Sequence, residues 1–178
     1  LPARSEMCIR DSLLSGKDVH GSTVGIYGMG DIGKSFARRL QGFNTTILYH
    51  NRSRHEDAES ELNASYVSFD TLLEESDFVV CTAPLTPETE NKFNKDAFSK
   101  MKNDAIFINI GRGAIVDEDA LIDALNNHEI GGCGLDVLRE EPIKLDHPLL
   151  KMEKAVILPH IGSASVATRD RMIQLCVD

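Results

Sequence analysis

The sequence predicts an α/β fold in which one doubly wound parallel sheet carries helices on both faces. Short apolar segments alternate with helical stretches along most of the chain, the signature of strand, crossover helix and parallel strand. The later apolar segments are nearly continuous in Val, Ile, Phe and Ala, as expected of strands covered on both sides. A glycine-rich turn joins the first such segment to the first helical one.

Residues 22–27 read as the first strand. A helix follows, with Ile32, Phe36 and Leu40 at i, i+4 and i+8 expected on its packing face. Residues 45–49 give the second strand, 55–63 a polar helix, the surroundings of Tyr66 a short strand and 69–74 a helical turn. Strands are expected at 77–82, 105–110, 130–137 and 155–158. A helix over 117–126 would turn Ala120, Leu121, Ala124 and Leu125 to the sheet, and another over 165–177 closes the pattern. Residues 1–15 lack a start methionine and a convincing period, so they are set apart as a non-native or linker segment ahead of one domain over 16–178.

Composition narrows the function classes. A chain of 178 residues with 42% hydrophobic content buries a substantial core. Its formal charge of −9, from 28 acidic and 19 basic residues, repels a phosphate backbone and argues against nucleic acid as a partner. No apolar run approaches the roughly 20 residues that span a bilayer and no leader opens the chain, so a cytoplasmic protein without a membrane partner is expected. The four cysteines form no Cys-x-x-Cys pair, which points to reduced thiols and no metal site.

Gly28-Met29-Gly30-Asp31-Ile32-Gly33 follows a strand and opens a helix, the setting in which such a motif binds a dinucleotide and the sheet becomes Rossmann-like. The first glycine makes the tight turn, the second admits the pyrophosphate to bare backbone, and the third lets helix and strand pack closely. The helix N-terminus, with its unpaired N–H groups, receives the phosphates. A purely structural glycine turn is the competing reading.

About 20 residues on, where a carboxylate usually meets the ribose hydroxyls, stands Asn51, followed by Arg52, Ser53 and Arg54. A neutral amide beside two guanidinium groups suits a 2′-phosphate better than a free diol. NADP is therefore expected ahead of NAD, against the alternative of a solvated basic loop.

Three further residues stand at or just past strand ends on the same sheet edge, where open α/β folds bind ligands. Arg112 lies in Asn109-Ile110-Gly111-Arg112-Gly113, Glu141 just beyond Gly134-Leu135-Asp136, and His160 in Pro159-His160-Ile161-Gly162. Each alone reads as an ordinary loop residue. Together they give the arrangement a shared cleft would need, with Arg112 placed to hold a carboxylate.

Over residues 16–178 the sequence resembles the D-isomer-specific 2-hydroxyacid dehydrogenases. The resemblance rests on residues 28–33, on Ala83-Pro84-Leu85-Thr86-Pro87-Glu88-Thr89, on Ile110-Gly111-Arg112-Gly113-Ala114-Ile115-Val116-Asp117, on Gly134-Leu135-Asp136-Val137 and on Leu158-Pro159-His160-Ile161-Gly162-Ser163. Within the family, Asn51 to Arg54 and the segment 160–164 look most like glyoxylate/hydroxypyruvate reductases. The resemblance implies catalytic roles for Arg112, Glu141 and His160. It implies cofactor contacts at Ala83, Pro84, Thr89, Ile110, Gly111, Arg112, Asp136, His160, Gly162 and Ser163 beside the glycine turn, with Asp136 on the nicotinamide carboxamide. Asn51, where many NAD-using members have Asp, departs from the pattern.

The implied reaction is hydride transfer between NAD(P)H and a small 2-keto or 2-hydroxy acid, in a homodimer whose substrate domain lies outside this chain. Arg112 would hold the substrate carboxylate and His160, kept protonated beside Glu141, would deliver a proton. The alternatives are a dinucleotide-sensing module of the corepressor type and a dehydrogenase for phosphoglycerate, formate or lactate.

Overall fold

The computed structural model describes residues 16–177; the segment 1–15 set apart above, with Cys8 in it, lies outside the described residues. The elements run β1 (Thr23–Tyr27), α1 (Asp31–Leu40), β2 (Thr46–His50), α2 (Glu56–Leu62), β3 (Ala64–Tyr66), α3 (Phe69–Glu75), β4 (Phe78–Cys81), α4 (Lys95–Ser99), β5 (Ile106–Asn109), α5 (Glu118–Asn126), β6 (Gly132–Leu135), β7 (Ala155–Ile157) and α6 (Val166–Val177). All seven strands join one sheet in the order β3-β2-β1-β4-β5-β6-β7. Every pairing is parallel, so every strand ends on the same edge.

The double winding follows from which side chains each strand sends to each face. Val24 and Ile26 of β1 and Val80 of β4 pack with Ala37 and Leu40 of α1 and Ala58 and Leu62 of α2. Val79 and Cys81 of β4, Phe107 of β5 and Cys133 and Leu135 of β6 pack on the other face with α3, α4 and α5. The period of two along each strand thus builds two cores from one sheet. In α5, Ala120, Leu121, Ala124 and Leu125 are the buried residues, as their spacing predicts. Asp117 caps this helix, its carboxylate accepting the Ala120 N–H at 3.2 Å.

Three expectations need correction. The packing face of α1 is Gly33, Ala37 and Leu40, not the one led by Ile32, which is 58% exposed. A Cβ on Gly33 would lie 2.3 Å from the Gly28 carbonyl oxygen, so the helix meets the turn through bare backbone and Ile32 is rotated outward. The structure also adds α4, which sequence periodicity missed because five residues are too few to show a period; its Asn94 side chain caps it through the Ala97 N–H at 3.1 Å. Finally, β6 is shorter than the apolar run 130–137, which extends past the paired residues at both ends.

Helix α6 forms where expected but buries none of its residues. Val166, Met172, Ile173, Leu175 and Val177 are all exposed, as is Val156 on the α1 side of β7. At the opposite edge of the sheet, Asp77 accepts the Thr23 N–H at 2.8 Å and pairs with Lys17 and Lys102. Burial pushes its carboxyl up, but these partners outweigh burial and hold it well below the usual carboxylate range.

The larger core centres on Phe107, fully buried, with ring centroids 4.7 Å from Phe93 and 5.4 Å from Phe98. Replacing it with Ala empties a site ringed by aromatic side chains that cannot easily collapse. The expected loss is about 3–5 kcal/mol of unfolding free energy, read from urea denaturation; a loss below about 1 kcal/mol would show that this cluster is not the centre of the core.

Candidate functional site

The strand order reverses about β1: β2 pairs on one side of it and β4 on the other. Chains leaving β1 and β4 therefore diverge and leave a crevice at their carboxyl ends. Gly28 makes the turn out of β1 with φ +106°, and a Cβ there would lie 2.7 Å from the Ala83 nitrogen. Only glycine fits both demands. The Thr82 hydroxyl donates to the Gly28 carbonyl and fixes the two loops against each other. A Cβ on Gly30, by contrast, would meet nothing within 4 Å. No contact among the described residues explains glycine there, and bare backbone at the α1 N-terminus is what close approach of a pyrophosphate requires. The residues present thus fit a dinucleotide. Asp31 and Ile32 sit exposed in the first turn beside it.

A cavity of about 510 Å³ opens from this crevice, lined by Gly28, Asn51, Arg52, Ser53, Ala83, Pro84 and Thr89 among the residues singled out from sequence. Arg54 is not among its walls. Its guanidinium donates to both carboxylate oxygens of Glu59, at 2.7 and 2.6 Å, and Tyr49 donates to the same carboxylate at 2.8 Å. The two arginines read as a pair from sequence therefore face different partners, and Arg52 alone stands at the cavity. Asn51 contacts the His55 ring at 2.8 Å, which shapes the loop between them.

Sequence reading missed part of this wall. Tyr27, His50, His55, Thr86, Glu88 and Lys92 also line the cavity. His50 is stacked between Tyr27 and Tyr66, and its Nδ1 lies 2.9 Å from the Val67 carbonyl oxygen. Tyr27 and His50 are the last residues of β1 and β2, immediately before the quoted Gly28 and Asn51, so strand-end position was the available signal.

Farther along the same edge, the fully buried Asn109 at the end of β5 builds the next turn. Its side chain accepts the Gly111 N–H and donates to the Arg112 carbonyl, both at 3.0 Å. Arg112 is thereby held at the surface while Gly111, whose Cβ would lie 2.6 Å from the Ala83 carbonyl oxygen, packs beneath. Ile110, beside them, is 38% exposed.

Asp136, just past β6, is buried and accepts the N–H groups of Ile161 and Gly162, each at 2.8 Å. Two charge-assisted bonds from one carboxylate lock the loop that presents His160, whose φ of +54° is unusual for a residue with a side chain. Ser163 follows, half-buried. His160 Nδ1 lies 2.7 Å from Glu141 Oε2, and the other oxygen of Glu141 accepts the Leu138 N–H at 2.9 Å. The His160 hydrogen bond leads the Leu138 N–H, and weakly the Arg112 charge, in holding the Glu141 carboxyl below its usual value against the effect of burial. A cavity of about 410 Å³ with mostly apolar walls, including Leu138, Ile143, Leu150 and Leu158, opens beside the pair.

The sequence profile of the D-isomer specific 2-hydroxyacid dehydrogenase, NAD binding domain, matches residues 3–162. This chain belongs to that family. The NAD binding domain described here is 52% identical over 164 residues to the glyoxylate/hydroxypyruvate reductase B of Salmonella newport, covering 92% of this chain and 51% of that protein. It superposes on a glyoxylate reductase from Paecilomyes thermophila with a TM-score of 0.85 at 37% identity, covering 96% of this chain and 53% of the other. A D-lactate dehydrogenase from Lactobacillus jensenii, solved with NAD+, gives 0.85 at 32% identity over 98% of this chain and 57% of its own. The chain spans about half the length of the curated relatives it matches.

Among the described residues of this NAD binding domain, no cluster of three or more His, Cys, Asp or Glu could hold a metal, and no helix is long and apolar enough to cross a membrane. The depressed Glu141 carboxyl gives a signed prediction. The Glu141–His160 bond contributes stability above the ordinary glutamate range and loses it only as pH falls through the lower, folded-state value. Carbon-13 titration should find Glu141 ionising below the ordinary glutamate range, and His160→Gln should move it upward; an unmoved midpoint would mean that the pair contributes nothing to the carboxylate.

Proposed function

We propose that this domain belongs to an NAD(P)-dependent reductase of small 2-keto acids, with glyoxylate or hydroxypyruvate as substrate and NADPH as the preferred cofactor. The observation that carries the reading is the hydrogen-bonded Glu141–His160 pair standing with Arg112 on the sheet edge that also holds the glycine turn. The Salmonella and Paecilomyes relatives, named as reductases of glyoxylate or hydroxypyruvate, support the substrate class.

Arg112 holds the substrate carboxylate and draws charge from the 2-keto oxygen, which fixes the reacting carbon and stabilises the alkoxide as it forms. The nicotinamide, when bound, supplies hydride to that carbon. His160 keeps its Nδ1 on Glu141 and gives the proton on Nε2 to the alkoxide oxygen, leaving a 2-hydroxy acid and a neutral imidazole. The Glu141 carboxylate orients the ring through its bond to Nδ1. Asp136 keeps His160 in place through the neighbouring amides; its carboxylate, which can accept more than two hydrogen bonds, would also hold the nicotinamide carboxamide. On the adenosine side, Arg52 at the cavity wall would hold the 2′-phosphate. In the whole protein, a substrate domain outside this chain closes over Arg112 and excludes water. A homodimer and a cytoplasmic location belong to the same proposal.

A panel of 2-keto acids assayed with NADH and NADPH in the complete protein tests this reading directly. Glyoxylate or hydroxypyruvate should be reduced fastest; dinucleotide binding without turnover of any 2-keto acid would favour a sensor. His160→Gln should lower turnover by about 100-fold or more while leaving dinucleotide affinity near that of the parent.

Cofactor choice has its own test. Arg52→Ala should lower the NADPH/NADH ratio of kcat/KM by about tenfold, the loss of one charge-assisted bond. Arg54→Ala should change the ratio far less, because Glu59 already engages its guanidinium. Equal effects from the two variants would remove the distinction between them.

A further inference from the structure

Of the three chain segments that carry the proposed reacting groups, two lie side by side: the turn after β5 that holds Arg112, and the long β6–β7 connection that holds Glu141. Nothing in the pairing of β5 with β6 fixes the outer part of that connection. Glu140 and Lys144 pair across its surface, and Leu145 is 93% exposed. The connection is instead tied down outside the site, at two points that bracket Glu141.

The first tie is Arg139. Its backbone N–H donates to the Glu118 carboxylate in the first turn of α5. Its guanidinium reaches the carbonyl oxygens of Ala114 and Val116, at 3.5 and 3.3 Å, and the Asn91 side chain. Ala114 belongs to the short 3-10 turn Gly113–Ile115 that follows Arg112, and its carbonyl also accepts the Asn91 N–H at 2.9 Å. The second tie is His147, whose Nε2 lies 3.5 Å from the other oxygen of Glu118 and whose Nδ1 accepts the Leu149 N–H at 3.3 Å. Glu118 and His147 are both mostly buried, with side chains 15% and 21% exposed.

Beside the first tie the two segments touch backbone to backbone: a Cβ on Gly113 would fall 1.9 Å from the Leu138 carbonyl carbon. A shift of either segment is therefore passed to the other. Arg139 spans that contact through one terminal nitrogen, Nη2, which faces the Asn91 side chain and both carbonyls; a lysine ammonium stops about one bond short of that position and lacks the planar guanidinium geometry.

We propose that Arg139 and Glu118 are positioning residues that hold the Arg112 turn and the Glu141–His160 pair in one fixed geometry. The inference rests on the reading of those three residues as the reacting groups. Arg139 and Glu118 touch neither cavity. They act through Leu138, whose N–H is a ligand of Glu141, and through the turn that begins at Arg112.

The Glu141 carboxyl reports on this clamp, because its depression depends on the His160 and Leu138 bonds staying short. The charged groups facing it are His160 and Arg112, with Asp136 beneath the His160 loop and Glu140 and Lys144 on its own segment. In the described chain, carbon-13 titration of Glu141 is followed in the parent, Glu118→Ala, Glu118→Gln and Arg139→Lys. Loss of the clamp should raise the Glu141 midpoint in Glu118→Ala and in Arg139→Lys, and Glu118→Gln, which still accepts the Arg139 N–H, should stay near the parent. Plain electrostatics predicts the reverse: either substitution of Glu118 removes a negative charge and would lower the midpoint equally. If Glu118→Ala does not fold, Arg139→Lys, at an exposed position with the charge retained, decides alone. In the complete protein, Glu118→Ala and Arg139→Lys should lower kcat by about tenfold with the dinucleotide KM unchanged. An unmoved or lowered Glu141 midpoint in Glu118→Ala and an unmoved one in Arg139→Lys overturn the proposal; a parent protein that reduces no 2-keto acid overturns the functional reading instead, while the titration still judges the clamp.

Discussion

The parallel pairing of β1 with both β2 and β4 is the constraint on which the rest of the structure depends. It sends the connections from β1 and β4 to opposite faces and leaves a crevice that no side chain of the sheet can fill. Because β5, β6 and β7 continue the sheet with the same polarity, their exit loops lie along the same edge. Arg112, Glu141 and His160 come from three separate connections, far apart in sequence, and share one neighbourhood only because parallel strands end together.

Close backbone contact then sets distances that side chains alone would leave loose. Gly28 against Ala83, Gly33 against Gly28, Gly111 against Ala83 and Gly113 against Leu138 are each approaches that a Cβ would block. They form a continuous line from the glycine turn to the connection that carries Glu141. Polar groups finish what the glycines begin: the buried Asn109 and Asp136 spend their hydrogen bonds on loop amides rather than on solvent. Each would be costly if unpaired, so each loop is held in the one arrangement that satisfies it. The two buried cysteines take no part in this. Burial pushes the Cys81 and Cys133 thiols up to about 12, which leaves them as inert filler in the larger core.

How far this was legible in the sequence depended on the range of the interaction. The strands and α5 could be read because their signals, apolar continuity and a period of 3.6, are local. The glycine turn was legible because its context, strand then helix, is local too. Ile32 was assigned to the wrong face since it obeys the period, whereas the true face is set by Gly33, a residue with no hydrophobic signal at all. Arg54 looked equivalent to Arg52 until Glu59, one turn into α2, was seen to hold it. The ties from Arg139 to Glu118, Asn91 and the 114 and 116 carbonyls join residues 21 to 48 positions apart. No spacing rule reaches that far, and an exposed arginine in a loop gives no local hint of its partners.

On the proposed function, the crevice at the glycine turn and the Arg112, Glu141 and His160 cluster are two ends of one dinucleotide-bound site. Amide chemical-shift mapping of this chain during NADPH titration tests it most directly. The account predicts that Gly30, Ile32, Arg52 and Ala83 shift together with Gly111, Arg112, Ile161 and Gly162 along a single binding curve, while the amides around Asp77 on the opposite edge stay fixed. Shifts confined to α6 or to the Asp77 edge, or a cluster around His160 that never responds to the dinucleotide, would contradict it.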